Sequence, residues 1–317
     1  MSGGARVLVV GSFNVDHVWH CDALPAPGAT LAGRYVTGPG GKGFNQAVAA
    51  RRAGADTLFV CALGDDAGAR LARELAADDG IVLKALASEE ATGTAGIFVG
   101  ADGRNSIVIG PGANAALDTR HVREQADAIR TASVVLAQLE SPPESIALAL
   151  QLARDFGVAT VLNPAPANAP CSAELLALAD VITPNETEFV ALLAALTEET
   201  IAAEAIPDCE DAHLHRLCRR LHPEGSVVIT LGARGCFVSH PQQTMRGDTQ
   251  AHYRLPAETA QCIDTTGAGD AFNGALCASW ALHPARAFIE HLRFASLYAA
   301  RSTEARGAAL SMPRLSA

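Results

Sequence analysis

Short, largely apolar runs alternate with longer Ala- and Leu-rich stretches along most of the chain. Val7–Val10, Thr57–Ala62, Val134–Leu139, Ala159–Leu162, Val181–Thr183 and Val227–Leu231 have strand length and no regular polar alternation, as strands covered on both faces require. Asn45–Ala53, Ala67–Asp78, Pro143–Phe156, Glu186–Ala195 and Ala268–Leu282 space their apolar residues as helices do. Strands alternating with helices predict parallel strands joined by crossover helices. The expected fold class is therefore α/β: a doubly wound, mostly parallel, Rossmann-like sheet with helices on both faces. Its ligand site belongs beyond the carboxyl ends of the strands.

Four segments break this rhythm. Phe13–Trp19, Leu31–Val36, Ala95–Gly100 and Asn105–Ile109 mix strand formers with polar residues, and Asp102-Gly103 between the last two is a hairpin signal. They predict a small, half-buried antiparallel sheet, built from segments at about 12–38 and 94–112 and inserted in a single domain spanning 1–317. The acidic interval Leu196–Leu214 reads as a solvated helical face or loop without an assigned role. Cys209, His213, His215 and Cys218 lie close in sequence, but on one helix Cys209 and His213 point away from His215 and Cys218, so a zinc site is not expected.

Composition narrows the function classes. The 317 residues are 49% hydrophobic with a net charge of -10, which excludes a disordered chain and argues against binding to nucleic acid or an anionic membrane. No apolar run approaches the roughly 18–20 residues of a membrane span. Met1–Gly11 lacks the longer apolar region and small-residue cleavage site of a signal peptide, and the run Arg6–Gly11 reads as a buried first strand. The eight cysteines show no Cys-x-x-Cys spacing and are expected to be reduced thiols of a cytoplasmic protein.

Two glycine-rich segments carry the chemistry. In Asp264-Thr265-Thr266-Gly267-Ala268-Gly269-Asp270-Ala271-Phe272-Asn273-Gly274 the chain turns tightly into a helix whose first N–H groups lack internal partners. The amides of Gly267, Ala268, Gly269 and Asp270 make an anion hole suited to phosphate. Asp270, in the first turn, either deprotonates an attacking hydroxyl or merely complements the helix dipole. Gly38-Pro39-Gly40-Gly41-Lys42-Gly43-Phe44-Asn45-Gln46 opens another helix and is neither a Walker A loop nor a dinucleotide fingerprint. Gly41 and Gly43 allow close backbone approach to a small polar ligand, and Lys42 and Asn45 offer donors to it.

With these two segments the sequence resembles the ribokinase, or PfkB-type, family of carbohydrate kinases. Gly40–Asn45 is similar to the family's first signature and Asp264–Gly274 to its second. Gly11–Asp16, Gln138–Ser141, Asn163–Ala167, Thr183–Glu188 and Thr230–Gly235 match further family motifs in order. The resemblance implies ATP-dependent phosphorylation of a primary hydroxyl, ribose to ribose 5-phosphate being the leading case. In that scheme Asn14, Asp16, Gly41, Lys42, Gly43, Asn45, Glu140 and Asp270 bind the sugar, and Asp270 is the base. Asn185, Thr230, Gly232, Gly235 and Gly269 line the nucleotide site. Asn185 and Glu188 position Mg²⁺ through its waters, although Asn185 reads equally as a helix cap. Asp264 and Thr266 match part of a K⁺ site, or Asp264 fixes its loop internally.

The resemblance also implies a homodimer paired through the inserted sheets, which act as lids. Phe44 stands where a small residue is common in the family, so it is expected to narrow or reshape the sugar site and to favour another sugar, a sugar derivative or a nucleoside as acceptor. A charged stretch before Gly307-Ala308 departs from the family pattern for the second half of the K⁺ site. A non-catalytic sensor on the same fold is the reading from a different class, and an intact Asp270 speaks against it.

Overall fold

The computed structural model of the chain describes residues 6–315, so both ends of the expected 1–317 domain lie outside the described residues. The first strand, β1 (Arg6–Val10), leads into β2 (Asn14–Cys21), β3 (Arg34–Gly40) and the helix α1 (Lys42–Arg52). Next come β4 (Asp56–Leu63), α2 (Ala67–Asp78), β5 (Val82–Ala87), β6 (Gly93–Gly100) and β7 (Asn105–Gly110). The short helices α3 (Thr119–Glu124) and α4 (Ala126–Arg130) precede β8 (Val134–Ala137), α5 (Pro143–Asp155) and β9 (Ala159–Leu162). Then follow α6 (Ala173–Ala177), β10 (Val181–Ile182), α7 (Glu186–Leu196) and α8 (Asp211–Leu221). β11 (Ser226–Thr230), β12 (Cys236–Ser239), β13 (His252–Leu255), α9 (Ala268–Leu282) and α10 (Phe288–Ser302) complete the chain.

The main sheet has nine strands in the order β13-β12-β11-β10-β9-β8-β1-β4-β5. Strands from β11 to β5 pair in parallel, and only the β11–β12 and β12–β13 pairs at one edge are antiparallel. Side chains alternate between two cores. Val7, Val9, Val134 and Leu136 pack against α1, α2, α9 and α10, while Leu8, Val10, Val135 and Ala137 pack against α5 to α8. Both faces are buried, which is why the strands read as continuous apolar runs. Strand order reverses between β1 and β8, so the loops after those strands diverge and leave a crevice at their carboxyl ends.

The strand runs and helix periods of the sequence appear within a few residues of where they are expected. α1 begins at Lys42, earlier than the expected Asn45, because Gly41 already serves as its N-cap. β5, β12, β13, α8 and α10 are additional. They are strands at or next to the sheet edges, or helices, whose apolar residues find partners only in the assembled fold, as Leu214, Leu217, Cys218 and Leu221 of α8 do.

The small sheet is present, in the order β3-β2-β6-β7, but its pairing corrects the antiparallel expectation. β2 pairs with β6 in parallel, Asn14 opposite Gly93 and Cys21 opposite Gly100, while β2–β3 and β6–β7 are antiparallel. A parallel pair needs a long crossover, and the chain from β3 through β5 supplies it. On one face of this sheet the rings of Trp19 and Phe98 stack with centroids 5.3 Å apart, beside Tyr35.

Cys209 precedes α8 instead of lying on it, and Cys218 is buried. Among the described residues no group of His, Cys, Asp or Glu is placed to hold a metal directly. The acidic interval is tied down by ion pairs, Glu199 to Arg220, Asp208 to Arg234 and Asp211 to Arg254. No helix among the described residues is long and apolar enough to cross a membrane.

Candidate active site

The ends of β1, β8 and β9 and the first turns of α1 and α9 converge on one point, the carboxylate of Asp270. Gly267, at φ 75°, is the N-cap of α9, a left-handed conformation that glycine adopts without penalty. A Cβ there would also stand 2.8 Å from that of Ala308, so the turn is seated against the C-terminal segment. Behind it, Asp264 Oδ1 accepts from the Thr266 amide and hydroxyl, and Oδ2 accepts from the Gly307 amide. Asp264 thus fixes the loop internally.

Asp270 is 8% exposed. Burial pushes its carboxyl above the usual range; the Lys42 ammonium and hydrogen bonds from Gln46 and Asn45 offset part of that rise, and Glu140 adds to it. Asn45 Nδ2 donates to Oδ2 at 2.9 Å and Gln46 Nε2 to Oδ1 at 2.8 Å. Lys42 opposes the cost of its own burial with three carboxylates, Asp270, Glu140 and Glu188, which hold its ammonium above the ordinary value. The result sets the Lys42 ammonium close to a buried carboxyl, where fixed dipoles act strongly.

On one side of Asp270 lie the polar groups expected to meet a polyol. Glu140 Oε2 accepts from the Lys42 amide at 3.0 Å and from the Ser12 hydroxyl at 2.6 Å. Asn14 Oδ1 accepts from Asn114 Nδ2 at 2.8 Å, and Asn114 also exchanges hydrogen bonds with the Phe13 backbone. The Asp16 carboxylate packs across Gly40, where a Cβ would come within 2.2 Å of it. Burial, then the charges of Glu140 and Asp270, push Asp16 up to about 6. Gly41 and Gly43 bring α1 against the end of β1, since a Cβ on either would run into the backbone of residues 11–14.

The sequence reading missed Ser12, Asn114 and Gln46. Ser12 and Gln46 stand inside motifs, but their partners are 128 and 224 positions away, so no local signal marks them. The expected role of Phe44 is corrected. Its ring is 1% exposed and packs edge-on to Phe13 at 5.0 Å and against Phe59 at 5.9 Å. It turns into the core because position 44 of α1 faces β1 and β4, and it does not line the sugar side.

On the other side of Asp270 opens a cavity of about 690 Å³. Lys42, Asn185, Glu188, Thr230 and Asp270 line it, together with small residues of α10, Ala299 and Ala300 among them. Gly232 and Gly269 border it with open space where a side chain would stand, whereas Gly235 turns the chain from β11 to β12 with no room for a Cβ.

Asn185 and Glu188 form a reciprocal cap on α7: Asn185 Oδ1 accepts from the Glu188 amide and Glu188 Oε2 from the Asn185 amide, both at 2.8 Å. Burial raises the Glu188 carboxyl, with the Asn185 amide and Lys42 opposing the rise. Glu188 Oε1 remains uncommitted among the described residues and borders the cavity, so the pair fits a hydrated Mg²⁺ held through water. The donors offered to K⁺ at Asp264 and Thr266 are already engaged with each other and with Gly307 and do not make a complete site.

Comparison with known proteins agrees with this layout. The profile of the pfkB family carbohydrate kinases matches residues 5–315. A Haemophilus influenzae protein named ribokinase is 39% identical over 311 residues, covering 97% of this chain and 95% of its own. Ribokinase from Giardia lamblia superposes with a TM-score of 0.85 at 28% identity, covering 98% of this chain and 96% of the other. Arabidopsis thaliana ribokinase, solved with ribose and ATP, gives a TM-score of 0.80 at 31% identity, covering 97% and 95%.

Proposed function

The chain belongs to the pfkB family of carbohydrate kinases, and from that premise we propose that it transfers the γ-phosphoryl group of ATP to the primary hydroxyl of a pentose, D-ribose giving D-ribose 5-phosphate. The observation that carries this reading is the position of Asp270. It stands between a polyol-binding set, Asn14, Asp16, Asn45 and Glu140, and a cavity of about 690 Å³ that starts at the α9 N-terminus. A sugar hydroxyl next to Asp270 faces a phosphate held at the Gly267–Asp270 amides.

In this mechanism Asp16, Glu140 and Asn14 orient the sugar by accepting and donating to its hydroxyls. Asp270 accepts the proton of the attacking hydroxyl, and its buried setting makes it a stronger base than a solvated carboxylate. The amides of the α9 first turn and the Lys42 ammonium stabilise charge on the transferring group. Asn185 and Glu188 would hold Mg²⁺ through its waters, where the ion neutralises phosphate charge. No step is assigned to K⁺.

The proposal extends to the small sheet as a lid that pairs with that of a second copy. Val18, Val36, Ile97, Ile107 and Ile109 share the face that carries Asp16. Val36, Ile107 and Ile109 are 40%, 51% and 47% exposed, so this face has apolar area to bury over the sugar.

The alternative acceptors drew their support from Phe44, and its ring lies in the core. A coupled assay across ribose, 2-deoxyribose, hexoses and nucleosides tests the reading: ribose is expected to give the highest kcat/KM, and a better acceptor from the panel overturns the substrate assignment. Asp270→Asn is expected to lower kcat by about 10²–10⁴-fold while ribose still binds. Wild-type turnover in that variant overturns the base assignment.

A further inference from the structure

Gln46 is wholly buried and belongs to none of the sugar, nucleotide or metal sets, yet it makes the most constrained contacts near the reacting centre. Its Nε2 has two hydrogens, and both are used. One goes to Asp270 Oδ1 at 2.8 Å and the other to Asn163 Oδ1 at 3.1 Å. Its Oε1 accepts from Gln138 Nε2 at 2.6 Å. The amide has only one workable orientation. Turned over, it would set Oε1 against the Asp270 carboxylate and its NH₂ group against that of Gln138.

The hydrogen bonds continue into a closed circuit. Asn163 Nδ2 donates to the Thr183 carbonyl at 2.9 Å, and Thr183 Oγ1 donates to Asn273 Oδ1 at 2.6 Å. Asn273 Nδ2 returns to the Gly269 carbonyl at 2.9 Å, in the first turn of α9 itself. Gln138, Asn163 and Thr183 follow β8, β9 and β10, so neighbouring strand ends hold both the base and the start of its helix. Gly274 makes the reach possible: a Cβ there would meet the Gln46 carbonyl and Ala49 Cβ at 2.5 Å, and the two helices would be forced apart.

We infer that Gln46, oriented by Gln138, is a positioning residue for phosphoryl transfer that fixes the Asp270 carboxylate in its ionised, substrate-facing orientation. This rests on the reading of Asp270 as the base. A buried carboxylate without donors turns away from the reacting hydroxyl or takes up a proton. The charged groups around it, Lys42, Asp16, Glu140 and Glu188, give no directional hold on Oδ1. Gln46 gives that hold.

The test is steady-state kinetics from pH 5 to 9 on the full chain carrying Gln46→Leu, Gln138→Leu or Asp270→Asn. Melting temperature and ADP binding check that each variant is folded. Gln46→Leu is expected to lower kcat about ten- to hundredfold, with KM for ribose within about twofold of wild type. Its acidic limb of kcat is expected to move up by about one pH unit, so part of the loss is recovered at high pH. Gln138→Leu, which removes only the group that orients Gln46, is expected to show a smaller loss of the same kind. A folded Gln46→Leu with wild-type kcat and acidic limb, or with a change in KM alone, overturns the inference. If Gln46→Leu does not fold, an unchanged kcat and acidic limb in Gln138→Leu overturn it. Asp270→Asn separates the two claims: wild-type turnover there defeats the base assignment, whereas an inactive Asp270→Asn beside an unchanged Gln46→Leu defeats only the role of Gln46.

Discussion

Asp16 gives a pH dependence that can be worked out before it is measured. Its carboxyl sits at about 6, raised from 3.8 by burial and then by Glu140 and Asp270. The ionised carboxylate is the form that accepts hydrogen bonds from two sugar hydroxyls at once. Because the shift is upward, the loss of ribose binding falls between pH 7 and 5, well above the range of an exposed aspartate. At pH 5 about one-eleventh of the protein is ionised at Asp16, and with a neutral form that binds about tenfold more weakly the apparent Kd for ribose rises about fivefold from its value at pH 7. Isothermal titration of ribose without nucleotide measures this directly. Asp16→Asn keeps the shape of the side chain and removes its titration. It is expected to bind about tenfold more weakly at pH 7 and to lose most of the slope. Glu140→Gln removes the second cause of the shift and moves the wild-type midpoint down. A Kd that stays flat from pH 5 to 7 in the wild type, or an equally steep slope in Asp16→Asn, refutes the reasoning.

Other substitutions separate chemistry from packing. Glu188→Gln can still accept the Asn185 amide, so the α7 cap and the melting temperature are expected to hold, while the Mg²⁺ concentration for half-maximal rate rises about ten- to hundredfold; an unchanged Mg²⁺ titration removes Glu188 from the metal assignment. Phe44→Ala is expected to destabilise the fold by about 3–5 kcal/mol in a denaturant titration, with the ranking of sugars unchanged in the fraction that stays folded. A new acceptor preference would return Phe44 to the sugar site.

Much of the fold was legible in the chain because its physics is local. Val7–Val10 and Val134–Ala137 read as buried strands since both faces of the sheet are covered, and Asn185 with Glu188 spells a helix cap within four residues. The two glycine segments announced the tight turns into α1 and α9, capped by Gly41 and Gly267, because backbone geometry there depends on the missing side chains. Edge strands such as β13 were not legible: His252–Leu255 has no pattern of its own and is held by pairing with β12. The parallel pairing of β2 with β6 was also hidden, since hairpin signals report only on neighbours in sequence.

The site divides in the same way. The sequence by itself determined which residue types were available, Asp270 at a helix start and Asn14, Asp16, Lys42, Asn45 and Glu140 in motifs, and that they belong at strand ends. Only the tertiary structure decided their chemical states and partners. Burial, and then the nearby charges of Glu140 and Asp270, raise Asp16 to about 6, and Lys42 stays charged because three carboxylates offset the cost of its burial. Phe44 leaves the sugar side for the core, and Gln46, silent in the sequence, becomes, with Asn45, a donor to the Asp270 carboxylate. Burial and Coulomb interactions act through space, between residues far apart along the chain, so no reading along the sequence contains them.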